Sequence, residues 1–192
     1  TARDVADVFE SIAPLDSGIS TDQLGFVHGS PDRSVSGVGC TWCVHARSIA
    51  TCARLGLDMI ICHEGIWLGA QQSEWYPVPD ASRQFSNQLR RRLLDRYEFA
   101  VYRSHSNWDA LRTYGVADRA VSVLGIDGLR EVGRERFFSV QQLPEPTTVR
   151  QLEQVVRRAL GFDATRLFGQ AGKPIERFAF LIGGFGGNQK HM

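Results

Sequence analysis

Apolar residues recur along this chain with two different periods, and the switches between them mark out its elements. In "ARDVADVFESIA", Val5, Val8, Phe9 and Ile12 return at helical spacing, and Pro14 follows as a stop. "VSGVGCTWCV" is β-branched and apolar, which predicts a strand. "HARSIATCARLG" reads as an amphipathic helix with Gly56 at its C-terminal end. "LDMIIC" is short and almost wholly apolar, the pattern of a strand buried on both faces. Strand, helix and strand within about thirty residues define a βαβ unit.

The pattern continues less regularly. "LGAQQSEWYPVPDA" is a loop marked by Pro77 and Pro79. "SRQFSNQLRRRLLDRY" predicts a helix with Phe85, Leu89, Leu93 and Leu94 inward. Successive side chains on a helix diverge by about 100°, so Arg90, Arg91 and Arg92 read as a solvated face rather than a phosphate site. "FAVYRS" is the next strand; it runs into "HSNWD", and "VADRAVSVLGI" makes a further helix. "RFFSVQQL" is a strand, with a break at Pro144 and Pro146. "TTVRQLEQVVRRALG" has Thr147 as its N-cap and Val149, Leu152, Val155, Val156 and Leu160 on one stripe. "RFAFLIGGFGGN" is a strand entering a glycine-rich turn. These elements predict an α/β chain of two lobes, residues 1–132 and 133–192.

At 192 residues, with 43% hydrophobic and 22% charged positions, the chain is long enough to bury a proper core. Lys and Arg total 22 against 21 Asp and Glu, a balance that gives no electrostatic footprint for nucleic acid or a membrane surface. No run reaches transmembrane length and no signal-like start is visible, so a cytoplasmic protein is expected. Cys40 and Cys43 form a CxxC with no second pair at zinc-knuckle spacing. Together with Cys52 and Cys62 they read as reduced structural thiols, with zinc or redox chemistry as the alternative.

Two of the predicted strands end in polar clusters. "LDMIIC" delivers His63 and Glu64, and "FAVYRS" delivers His105 and Asp109. Sites in open α/β sheets form beyond the carboxyl ends of the strands, where loops converge on a rigid base. Two parallel neighbours would therefore bring two imidazoles and two carboxylates to one rim. Nitrogen and oxygen donors of this kind suit Zn, Mn, Fe or Mg, and a cation relieves the repulsion between the carboxylates. His28, in the "GFVHGSPD" turn, and His45, on the helix after Trp42, have no such company and read as structural.

"HEGIWLG" after an apolar strand, "SHSNWDA" some forty residues on, and "GVADRAVSVLGI" together resemble the Nif-three-like family of dinuclear-metal hexameric proteins, also called GTP cyclohydrolase type-2 homologs. "VADVFESIAPLDSGISTDQLGFVHGSPDRSVSGVGCTW" is similar to that family's opening, and "RFAFLIGGFGGN" to the strand end that begins its C-terminal part. The resemblance implies a two-lobed α/β fold and a toroidal homohexamer with a two-metal site facing its interior. It makes His63, Glu64 and Asp109 metal ligands, with His105 a catalytic proton carrier, an orienting group or a further ligand. The family's first motif is commonly His-His. Glu64 in the second place makes the site harder and favours Mn, Fe or Mg relative to Zn. The family also supplies a histidine and a glutamate from beyond the glycine-rich turn, a segment this sequence stops short of, so the second lobe is expected to be incomplete at its C-terminus. His191 is not assigned to that role. The implied activity is metal-dependent hydrolysis of a nucleotide or other phosphate-containing small molecule. The alternative is a non-catalytic metal-binding regulatory or interaction protein. No P-loop or other nucleotide-specific motif is present to select the substrate.

Overall fold

The structure, a computed structural model, describes residues 1–67 and 83–181. It divides into two units, Thr1–Trp108 and Asp109–Met192. In the second, the helix at Val116–Val123 packs on the strands that follow it, Phe138–Thr148 and Pro174–Phe180.

The first unit runs α1 (Ala2–Ile12), a single 3-10 turn (Leu15–Ser17), β1 (Gly25–His28), β2 (Val38–Thr41), α2 (Ala46–Arg54), β3 (Met59–Cys62), α3 (Phe85–Arg96) and β4 (Ala100–Arg103), and it ends within the short helix α4 (Ser106–Asp109). Its four strands form one sheet in the order β1-β4-β3-β2. β2, β3 and β4 are parallel neighbours, as the βαβ pattern requires, with Met59 opposite Ala100 and Cys62 opposite Arg103. β1 runs the other way against β4, and Gly25 at its start faces Arg103 at the end of β4. His28 therefore ends a strand rather than sitting in a turn, and its Nε2 lies 3.3 Å from Asp95 of α3. His45 occupies the N-cap position of α2.

The near-continuous apolar character of β3 follows from its having no solvent face: all four residues are buried. Alternate side chains serve two cores. Met59 and Ile61 join Ala2, Ala6, Ala100 and Tyr102 on the α1 side, with Phe26 edge-on to Tyr102 at 5.4 Å. Ile60 and Cys62 join Val44, Ile49, Leu94, Phe99 and Val101 with the residues of α2 and α3. Burying a side chain such as Leu94 or Ile60 stabilises by about 1.5–3 kcal/mol. Gly29 allows the chain to leave β1 tightly: its φ is +76°, and a Cβ there would lie 2.4 Å from the Phe99 carbonyl oxygen.

α3 departs from the expected pattern in two places. Phe85 is 75% exposed, while Arg90 is only 8% exposed. Arg90 donates to the Ile66 carbonyl and to Asn87 Oδ1, both at 2.9 Å, and Arg91 lies over the Trp67 ring. One arginine of the triplet thus serves the interior, where it caps the chain after β3. The loop marked by Pro77 and Pro79 lies outside the described residues.

Asp58, just before β3, accepts hydrogen bonds from the Ser36 and Gly37 amides and from the Ser36 hydroxyl. Burial opposes its ionisation, but these hydrogen bonds outweigh burial and lower its pKa. A folded pKa below the unfolded one adds stability above the unfolded value, and that stability is lost as pH falls through the folded pKa. Asp58→Asn is therefore expected to shrink the fall in Tm between pH 6 and pH 3, measured by thermal denaturation.

The second unit contains α5 (Val116–Val123), β5 (Arg130–Glu135), β6 (Phe138–Thr148), α6 (Val149–Ala159) and β7 (Pro174–Phe180). Its antiparallel sheet has the order β5-β6-β7. Pro144 and Pro146 do not break β6. They sit where its register with β7 lapses between Gln142 and Thr147, and no ladder N–H is needed there. The cap of α6 is Thr148 rather than Thr147: its hydroxyl accepts from the Gln151 amide, while Gln151 Oε1 accepts from the Thr148 amide. Arg134 joins Asp118 of α5 to Glu131 of β5. Among the described residues no helix is long and apolar enough to cross a membrane. The glycine-rich turn after Leu181 lies outside them.

Candidate metal centre

β3 and β4 end side by side, so the residues after Cys62 and after Arg103 leave the sheet at the same rim. The Ser104 amide donates to the Cys62 carbonyl at 3.0 Å and keeps the two exits together. His63 and Glu64 both donate their amides to the Trp42 carbonyl, which ties the β3 exit to the end of β2. The His63 ring is stacked on Trp42, with centroids 4.0 Å apart, and meets the His105 ring edge-on at 4.6 Å. Trp42 remains 55% exposed.

α4 supplies the other side. Its buried Asn107 accepts the His105 amide at Oδ1 and donates through Nδ2 to the Ala13 carbonyl, anchoring the turn to the end of α1. Asp109 completes that turn. His63, His105 and Asp109 each offer one ligand atom, and the three atoms lie within 4.8 Å of one another. Two imidazole nitrogens and one carboxylate oxygen form a donor set that suits a divalent transition ion. The donor chemistry fits a metal.

Of the four residues singled out in the sequence, these three come together. Glu64 is not a member of the group, although it follows His63 directly. Neighbouring side chains diverge as a chain leaves a strand. The Glu64 charge acts instead on Cys43 and Cys62, where it adds to burial in raising the thiol pKa; Cys62 is pushed up to about 12, chiefly by burial. Burial raises Cys52 as well, and Cys40 is exposed. All four cysteines are free thiols, and among the described residues none belongs to a metal-capable group.

Two residues that sequence reasoning passed over complete the surroundings. Arg103, the last residue of β4, has a side chain 1% exposed, and Asp22, from the loop before β1, has one 5% exposed. Arg103 Nη1 bonds Asp22 Oδ1 at 2.5 Å and the Gln23 carbonyl at 2.7 Å, and its Nε donates to the His63 carbonyl at 3.0 Å. Asp22 Oδ2 lies 2.7 Å from His105 Nδ1 and accepts the Ser106 hydroxyl at 2.6 Å. Burial works against the Asp22 charge, but hydrogen bonds from Ser106, His105 and Arg103 hold the carboxyl well below the usual carboxylate range. An arginine closing an apolar strand was the available signal, since a buried guanidinium requires an acid. The loop fits closely here: a Cβ on Gly18 would meet Leu24 Cδ1 at 2.3 Å and Ser106 Oγ at 3.0 Å.

A metal-capable rim on a mixed α/β sheet defines the class of protein, and comparison gives the family. The family model described as Duf34/NIF3 (NGG1p interacting factor 3) matches residues 1–190, and the chain belongs to that family. It is 20% identical over 192 residues to a Clostridium perfringens protein named "GTP cyclohydrolase 1 type 2 homolog", a match covering 94% of this chain and 68% of that one. Among solved structures, a Staphylococcus aureus hypothetical protein superposes with a TM-score of 0.79 at 15% identity, over 99% of this chain and 74% of that chain. A Bacillus cereus protein related to NIF3 gives 0.77 at 13% identity, over 94% and 75%. At these identities the structural likeness establishes the α/β fold.

Proposed function

We propose that this protein is a metal-dependent hydrolase acting on a nucleotide or another phosphate-containing small molecule, in the manner suggested by the name of its Clostridium perfringens relative. The observation that carries the reading is the convergence of His63, His105 and Asp109 at the rim of parallel strands, where α/β enzymes keep their sites. A divalent cation (Zn, Mn, Fe or Mg) held there would act as a Lewis acid and lower the pKa of a water molecule. The chain's own residues do the rest. His63 and Asp109 hold the cation from two separate loops. His105 is a third ligand, with a ring fixed by its neighbours. Trp42, stacked on His63 and more than half exposed, offers a planar wall on which a heterocyclic ring can lie. Glu64, one residue from His63, is the additional donor that a two-ion form of the site calls on. A homohexamer in the cytoplasm belongs to the same proposal.

The family description names an interaction, which favours a second reading: a metal-binding regulatory or partner-binding protein without turnover. Incubation of purified, metal-loaded protein with GTP, other nucleotides and simple phosphoesters separates the two. The hydrolase reading expects product formation that chelation abolishes. Stoichiometric metal with no turnover across that panel supports the second reading instead.

A further inference from the structure

We propose that Asp22 is a positioning residue for this site: its carboxylate holds the His105 imidazole with Nδ1 turned inward, which leaves Nε2 as the nitrogen available to a cation. Asp22 Oδ2 is 2.7 Å from His105 Nδ1, and the same oxygen accepts the Ser106 hydroxyl at 2.6 Å and the Ser106 amide at 3.3 Å. Its other oxygen is held by Arg103 at 2.5 Å. The carboxylate is buried and gripped on both oxygens, so it cannot turn away without losing several donors. An ionised carboxylate only accepts hydrogen bonds, so the proton between the two groups belongs to Nδ1, and the ring's lone pair is on Nε2. Carboxylates that orient metal-binding histidines in this way fix both tautomer and ring direction.

The same carboxylate reaches the second histidine through Arg103. That guanidinium bonds Asp22, the Gln23 carbonyl and the His63 carbonyl together. One buried ion pair therefore sets the placement of both imidazoles, 4.6 Å apart edge to face, before any ligand arrives. Asp22 is not itself one of the three converging donors. Its role is carried out through His105 and His63.

The test begins with the metal-free full chain, labelled with 15N, at pH 8. Imidazole 15N–1H correlations of His105, identified by their loss in His105→Ala, are expected to show the proton on Nδ1 and none on Nε2. Asp22→Asn presents an N–H to the ring as readily as an oxygen and is expected to abolish that preference. Zn2+ affinity measured by calorimetry is expected to fall about 10–100-fold in Asp22→Asn, the usual effect of removing an outer-shell partner. In a His105→Ala background the same substitution is expected to add much less. A proton on Nε2 in the unaltered protein overturns the proposal, whether or not any variant folds. A lower Tm with tautomer and affinity unchanged marks a merely structural carboxylate and overturns it too. The affinity measurement rests on the metal-site reading given above. If the unaltered chain binds neither Zn2+ nor Mn2+, that reading fails, while the ring spectrum still decides the role of Asp22.

Discussion

Asp109→Ala and His63→Ala are each expected to abolish tight binding of a divalent cation while leaving the protein folded. Three donors within 4.8 Å of one another make up the candidate site, and the loss of one leaves two. The loss should exceed the 10–100-fold typical of substitutions one shell further out, so a fall of more than about 100-fold is expected. Both side chains are only half-buried, and neither belongs to the two apolar clusters that hold the sheet. Calorimetric titration with Zn2+ and Mn2+, alongside a thermal melt, checks both halves of the expectation. Affinity that survives either substitution would show that the cation, if any, is bound elsewhere.

The largest effect on stability is expected from Arg103→Ala. Removing one partner of a buried ion pair strands the other, at a cost of about 3–5 kcal/mol. Here the stranded group is the Asp22 carboxylate, and the Gln23 and His63 carbonyls lose their donor as well. For a protein of this size about 2–4 °C of Tm corresponds to 1 kcal/mol, so a fall on the order of 10 °C is expected by calorimetry. Arg103→Lys keeps the charge but loses the fork that serves three acceptors at once, and should recover only part of the loss. Combining Arg103→Met with Asp22→Asn removes the uncompensated charge and should cost less than the two single losses summed. A melt for Arg103→Ala within a degree or two of the unaltered protein would show that the pair contributes little.

The parts of the fold that could be read in advance were those in which one residue type admits one environment. "MIIC" has no polar position to offer solvent, so its burial on both faces and its parallel neighbours follow directly. The polar groups after Cys62 and after Arg103 stand out against such strands, which is why His63, His105 and Asp109 could be named. Asp22 could not, because its partners lie 81 to 84 positions further along the chain and nothing local in "STDQLG" marks it. The burial of Arg90 was hidden for a related reason. Adjacent in sequence to Arg91 and Arg92, it is separated from them by side-chain direction alone. Pro144 and Pro146 carry a strong local signal that was outweighed by a lapse in pairing. Thr147 and Thr148 differ by one position, and only the backbone turn decides which of them caps.

A sheet whose strands all pointed one way would build its working edge only from segments that follow strands. Here β1 is reversed, so Gly25, where it starts, sits opposite Arg103, where β4 finishes. The stretch leading into β1 is thereby delivered to the edge from which His63 and His105 emerge, and it arrives on an outer strand with no crossover helix to carry. That stretch carries Asp22 and Gln23 to Arg103 and His105, so its length is set by the bonds it makes there. The one antiparallel neighbour thus brings a buried acid to the same edge as the imidazoles it holds.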